Sequence, residues 1–164
     1  MTTRGYGGGD VDLPTQLLAQ PDALILDLAV NSREAAICGL HAQLALSPAV
    51  KDAPQFLHGL LERAMLAPVC VAPDVALPHA RTDAVERVVL GVARVTAPGV
   101  GFDAEHPHVR LVFMVGTPKQ QVQEYLLAVA AITRLLKTEG VRAGLLVART
   151  EAEFVALLAR GAKR

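Results

Sequence analysis

Two runs in this chain, residues 88–95 (VVLGVARV) and 109–115 (VRLVFMV), are rich in β-branched side chains and almost uninterrupted in hydrophobicity. A strand with one wet face alternates apolar and polar residues, so strands that do not alternate need cover on both faces. The two runs therefore predict central strands of a sheet held between layers of helices. With 164 residues and 52% apolar content the chain can fill one such core, and two would be cramped. Residues 1–12 carry four glycines and little to bury, so they are expected to form a flexible tail ahead of a single domain over residues 13–164.

Local signals supply the helices. Pro14 suits a first helical turn ahead of Leu17 and Leu18, and residues 23–28 form a short apolar strand bounded by turn residues. Ser32 can cap a helix reaching about residue 46, with Ala36, Ile37, Leu40 and Leu44 on its inner face and Cys38 packed with them. Asp52 can cap a second helix through about residue 65, turning Phe56, Leu57, Leu60, Leu61 and Ala64 inward. Three prolines break residues 67–78 into a hairpin or a pair of brief strands, and residues 97–108 read as a loop. After Pro118, Val122, Leu126, Val129, Ile132, Thr133 and Leu136 recur at helical spacing. Two short helices end the chain, the last opened by a Thr150–Glu153 capping box. The expected fold is a three-layer α/β/α sandwich around a small mixed sheet.

The charge balance narrows the function. Lysine plus arginine equals aspartate plus glutamate at 16 each, so no basic field exists to hold nucleic acid. Aromatic residues make up 4% with no tryptophan, which also argues against a base-stacking or sugar-stacking surface. The longest apolar runs are too short to cross a bilayer, and Cys38 and Cys70 have neither CxxC spacing nor a secretory leader before them. The expected setting is the cytoplasm, with both thiols reduced and no direct membrane insertion.

One segment carries chemistry. Val75, Ala76 and Leu77 read as the end of a buried strand, and Pro78 removes a backbone donor and stops it. His79 is then expected on a stiff turn at the sheet edge, with Arg81 two residues on. An ordinary loop histidine beside a surface arginine is the plainer alternative. Neutral imidazole is nucleophilic near pH 7, and a hydrogen bond from one ring nitrogen leaves the other aimed outward.

Residues 75–81, VALPHAR, resemble the phosphorylation segment of the enzyme IIA domains of the bacterial phosphoenolpyruvate-dependent sugar phosphotransferase system, fructose and mannitol class, which includes a nitrogen-regulatory paralogue. The likeness extends through VRLVFMV, the helix after Thr117-Pro118 and the ending at Thr150–Glu153, and covers nearly all of residues 13–158. It implies the mannitol/fructose IIA fold, with His79 accepting a phosphoryl group from an upstream histidine-containing phosphocarrier protein. Downstream it implies a IIB domain or a regulated protein, and no cofactor. It also implies that Arg63 lies near the acceptor and that Tyr125 occupies the position where these domains commonly carry a second histidine. For such a transfer Nε2 of His79 is the expected acceptor atom, and Arg63 and Arg81 are the candidates to hold the phosphoryl oxygens, because arginine's planar fork stays ionised and grips two oxygens. Where the family usually has a Ser-Thr-Gly run, this chain has Pro68-Val69-Cys70-Val71-Ala72-Pro73.

Three other readings compete. The same fold can serve as a non-catalytic regulatory module that binds a partner through the His79 surface. His106 and His108 have H-x-H spacing and could ligate zinc, although no further ligand is evident nearby in sequence, and solvated loop histidines are the alternative. Cys70 could act as a nucleophile with His79 as its base, against an inert thiol packed among valines. The apolar content is compatible with a homodimer without requiring one.

Overall fold

The computed structural model describes residues 12–162, so the expected N-terminal tail lies outside the described residues except for Asp12. In chain order the elements are α1 (Leu13–Ala19), β1 (Ala23–Leu28), α2 (Arg33–Leu44), α3 (Ala53–Leu66), β2 (Cys70–Ala72), β3 (Val75–Ala76), β4 (His79–Arg81), β5 (Val89–Val95), β6 (Leu111–Thr117), α4 (Val122–Lys137), α5 (Val141–Val147) and α6 (Glu151–Ala162). The expected caps form: Ser32 Oγ accepts from Ala35 N–H and Asp52 Oδ1 from Gln55 N–H. Asp12, placed in the tail by the sequence, caps α1, its Oδ1 accepting from Thr15 N–H. At α6 the Thr150 hydroxyl accepts from Glu153 N–H, while the Glu153 carboxylate reaches one residue further back than a capping box requires, to Arg149 N–H.

The sheet runs β1-β5-β6-β3-β2, and β4 also pairs with β6. It is mixed: β5 is antiparallel to β6 and parallel to β1, while β3 and β4 are both parallel to β6. Every residue of β5 and β6 is buried, as their unbroken hydrophobicity requires. Val89, Ala93, Val112 and Met114 face α2 and α3, whereas Leu90, Val92, Leu111, Phe113 and Val115 face α1, α4, α5 and α6. These are the three layers expected.

Two local expectations fail. Cys38 is exposed, because the α2 stripe of Ala36, Ile37, Leu40 and Leu44 meets the sheet without it. On α4 the buried residues are Ala128, Ala131, Ile132, Leu135 and Leu136, while Val122 and Leu126 stay exposed. Helical spacing alone could not choose between these faces because α4 is apolar over more than one of them.

Two features fix the neighbours of β6 and β5. Gly116 stands opposite Ala80 on β4, and a Cβ there would lie 2.7 Å from the Phe56 ring and 3.0 Å from Val89. The bare backbone lets the Phe56 ring of α3 pack directly against the sheet. On the other face, buried Arg94 of β5 donates from Nη1 to the carbonyls of Leu145 (2.9 Å) and Ala148 (2.7 Å), satisfying orphan acceptors at the end of α5. Replacing Gly116 with alanine should destabilise the protein by about 1–3 kcal/mol, as overpacking does, and lower its urea midpoint. An unchanged midpoint would mean that Phe56 is free to move.

Candidate functional site

Pro78 divides the strand that borders β6. Val75 and Ala76 pair with Leu111 and Val112, and after the proline His79, Ala80 and Arg81 pair with Val115, Gly116 and Thr117. Pro78 has no N–H to give, but its carbonyl accepts from Val115 N–H at 3.0 Å, so the edge stays attached across the gap. His79 therefore opens a short strand instead of sitting on the turn expected from sequence. Alternation along β4 buries Ala80 beneath α3 and turns His79 and Arg81 to the opposite side.

The half-buried His79 ring is fixed from its own backbone. Nδ1 lies 2.9 Å from the Leu77 carbonyl oxygen, which can only accept, so Nδ1 carries the proton and the neutral ring keeps its lone pair on Nε2. Among the described residues Nε2 has no hydrogen-bond partner. Burial pushes the His79 pKa below its ordinary value, the Leu77 bond opposes that shift, and the positive charge of Arg63 adds to it. The net effect favours the neutral, nucleophilic ring.

Arg63 reaches this neighbourhood from the last turn of α3. One turn earlier on the same face, Gly59 lets α3 approach β4 closely: a Cβ there would be 3.2 Å from Ala80 Cβ. Arg63 Nη1 donates to the Ala67 carbonyl at 3.1 Å, which holds the guanidinium at the end of the helix. Tyr125, in the first turn of α4, lies beside the histidine with ring centroids 5.6 Å apart and planes tilted by 41°. Arg81 shares the strand face of His79, but it is exposed and donates to the Lys119 carbonyl at 3.2 Å, on the loop leading to α4. Tyr125 and the charge of Arg63 thus both act on His79, while Arg81 is tied to the loop before α4.

The flanks are apolar. Met65 and Leu66 at the end of α3, and Val122, Leu126 and Leu127 around Tyr125 on α4, are all exposed. Leu77, whose carbonyl orients the imidazole, escaped the sequence reading. A signal for it exists, since a residue before proline is held extended, and its carbonyl then lies within reach of the residue after.

The rival readings fare differently. Burial and the Asp103 carboxylate push the Cys70 thiol up to about 11, which disfavours the thiolate a nucleophile needs, and the groups gathered near its sulfur are Asp103 and His106. His106 Nδ1–H donates to Asp103 Oδ1 at 2.6 Å, whereas His108 is exposed and outside that cluster, so the H-x-H pair is not a ligand pair.

The three-layer fold is that of enzyme IIA domains. The chain belongs to the family described as "Phosphoenolpyruvate-dependent sugar phosphotransferase system, EIIA 2", whose model matches residues 17–161. It is 29% identical over 94% of its length to the PTS system 2-O-alpha-mannosyl-D-glycerate-specific EIIABC component of Escherichia coli (strain K12), but spans only 24% of that protein. It is also 29% identical, over 90% of its length and 95% of the relative's, to the nitrogen regulatory protein of Bradyrhizobium diazoefficiens (strain JCM 10833 / BCRC 13528 / IAM 13628 / NBRC 14792 / USDA 110). In fold it is similar to enzyme IIA mannitol in its complex with phosphorylated enzyme IIB mannitol from Escherichia coli, with TM-score 0.74, 22% identity, and coverage of 85% of this chain and 95% of that one. No helix among the described residues is long and apolar enough to cross a membrane.

Two outcomes are expected of the titrating groups. Arg63→Ala should raise the pKa of His79, read from its imidazole resonances by NMR, because a neighbouring positive charge is removed. Burial also lowers the pKa of His41, against its bond to the Ala53 carbonyl. Rings whose folded pKa is depressed contribute stability that is full above about pH 6.5 and is lost as pH falls through the folded values. The urea midpoint should therefore fall between about pH 7 and about pH 5, and a flat profile in His41→Gln/His79→Gln protein would tie the loss to these two rings.

Proposed function

We propose that this chain is a phosphoryl-carrier domain that accepts a phosphoryl group on Nε2 of His79 from a histidine-containing phosphocarrier protein. The observation that carries the reading is the Leu77 carbonyl bond, which commits the proton to Nδ1 and leaves Nε2 as the nucleophile. In the transfer the donor's P–N bond breaks as the Nε2–P bond forms in line, and the donor imidazole recovers its lone pair. Charge on the three equatorial oxygens is met by fixed cations, for which Arg63 is the primary candidate and Arg81 the outer one. The Tyr125 hydroxyl can donate one hydrogen bond to a phosphate oxygen but carries no positive charge.

The exposed apolar residues on α3 and α4 give a partner protein a surface around the histidine. Downstream, the partner is a IIB domain, as for the mannitol relative, or a regulated protein, as the nitrogen regulatory relative invites. The chain acts as one enzyme IIA-like domain over residues 13–164, in the cytoplasm where such carriers work. Tyr125 in the second-histidine position favours a second reading, a regulatory module whose His79 surface binds a partner without accepting phosphate.

The test is phosphate transfer from phosphoenolpyruvate through the purified upstream enzymes. His79→Ala should abolish labelling with helical content unchanged, and Arg63→Ala should slow transfer by about 10- to 100-fold, the scale of losing one charged transition-state donor. Tyr125→His should speed it. A label undiminished in His79→Ala would reject the acceptor, and no label on the parent protein, with partner capture intact, would favour the regulatory module.

A further inference from the structure

The segment in which this chain departs from the Ser-Thr-Gly pattern brings Cys70 against the loop between β5 and β6. There one ligand atom each of Cys70, Asp103 and His106 lie within 4.8 Å of one another, and all three residues are half-buried. Cys70 belongs to β2, opposite Ala76 on β3, while the other two come from a point more than thirty residues later. We propose that Cys70, Asp103 and His106 form a binding site for Zn²⁺, separate from His79, with the fourth coordination position open.

The donor set fits the ion. Thiolate, imidazole and carboxylate are the three side-chain ligands zinc takes, at about 2.0–2.3 Å, which sets ligand atoms roughly 3.3–3.8 Å apart around a tetrahedron. The sulfur suits a borderline-soft cation and disfavours magnesium or calcium, which take oxygen donors. Closing from a 4.8 Å span to that separation needs displacements of about an ångström. The Asp103–His106 bond at 2.6 Å must open as the ion enters between its partners.

The loop is built to hold its two ligands still. Val100 and Val109 pair in both directions (3.0 and 2.8 Å), Phe102 N–H donates to the His106 carbonyl, and His106 N–H to the Asp103 carbonyl. Buried Phe102 anchors the loop in the core, and Arg33 of α2 donates to its carbonyl at 3.2 Å. Gly99 starts the turn at φ 90°, with its Cα so close to the Val109 carbonyl that a Cβ would lie 2.5 Å from the oxygen. Such support from rigid, hydrogen-bonded backbone is what a three-ligand site needs. On binding, the Cys70 proton leaves for solvent as the S–Zn bond forms, and no redox change occurs.

Cobalt is the probe, because a thiolate ligand gives Co²⁺ a near-ultraviolet charge-transfer band. Titrating the reduced full chain with Co²⁺ should produce that band at one equivalent, and Zn²⁺ should displace it. Cys70→Ser should abolish the band. Asp103→Asn and His106→Gln, which leave the thiol in place, should each weaken Co²⁺ binding by at least about 10- to 100-fold. Cys38→Ser, His108→Ala and His79→Ala should leave the titration unchanged, the last of these separating this site from the phosphoryl-acceptor reading. No band on the parent protein would overturn the proposal, as would a band that survives Cys70→Ser or disappears with Cys38→Ser.

Discussion

The hydrogen bonding of β6 organises this molecule. Along one edge β6 pairs with β5 from Leu111 to Gly116, and its other edge is shared by two short strands separated by a proline. A residue with an N–H at position 78 would need an acceptor in a continuous ladder. Proline removes that demand while its carbonyl still bonds to Val115, so the edge breaks without detaching. The break matters because the chain resumes with His79, and the ring folds back onto the carbonyl of the residue before the proline. The pairing of the sheet and the tautomer of the imidazole therefore depend on the same three residues, Leu77, Pro78 and His79.

The environment of that ring works in one direction. Burial and a neighbouring guanidinium both disfavour the imidazolium, and together they outweigh the stabilising bond to Leu77. A cation that keeps the histidine neutral is also suited to an incoming anion, so Arg63 has one electrostatic consequence before the phosphate arrives and another as it lands. Its position traces to a missing side chain: Gly59 brings α3 down onto Ala80, and Arg63 follows one turn later.

Much of this was legible in the amino-acid order. The unbroken runs at residues 88–95 and 109–115 announced buried strands and hence helices on both faces, and Ser32 and Asp52 marked helix starts through their own hydrogen-bonding capacity. His79 stood out because of Pro78 and the VALPHAR pattern. What escaped depends on contacts distant in sequence. The buried face of α4 could not be read because apolar residues lie on more than one side of it, and the choice is made by its packing against α1, α5, α6 and β6. Cys38 looked like a core residue because its neighbours at 36, 37 and 40 are. The meeting of Cys70 with Asp103 and His106 joins a three-residue strand to a loop beyond three further strands, a relation that no local pattern carries.

Arg94 has a consequence for how the protein comes apart. Its charge is carried by the middle of the sheet, yet its hydrogen bonds end on the carbonyls that finish α5, with Asp27 of β1 3.4 Å from its other terminal nitrogen. If α5 and α6 peeled away while the strands stayed folded, Arg94 would exchange its two carbonyl acceptors for water and the buried apolar residues that these helices cover would be exposed with it, a state costly enough to be scarce. Partial opening of that layer is thus coupled to loss of the sheet, and the C-terminal helices, although last in the chain, share the cooperativity of its centre.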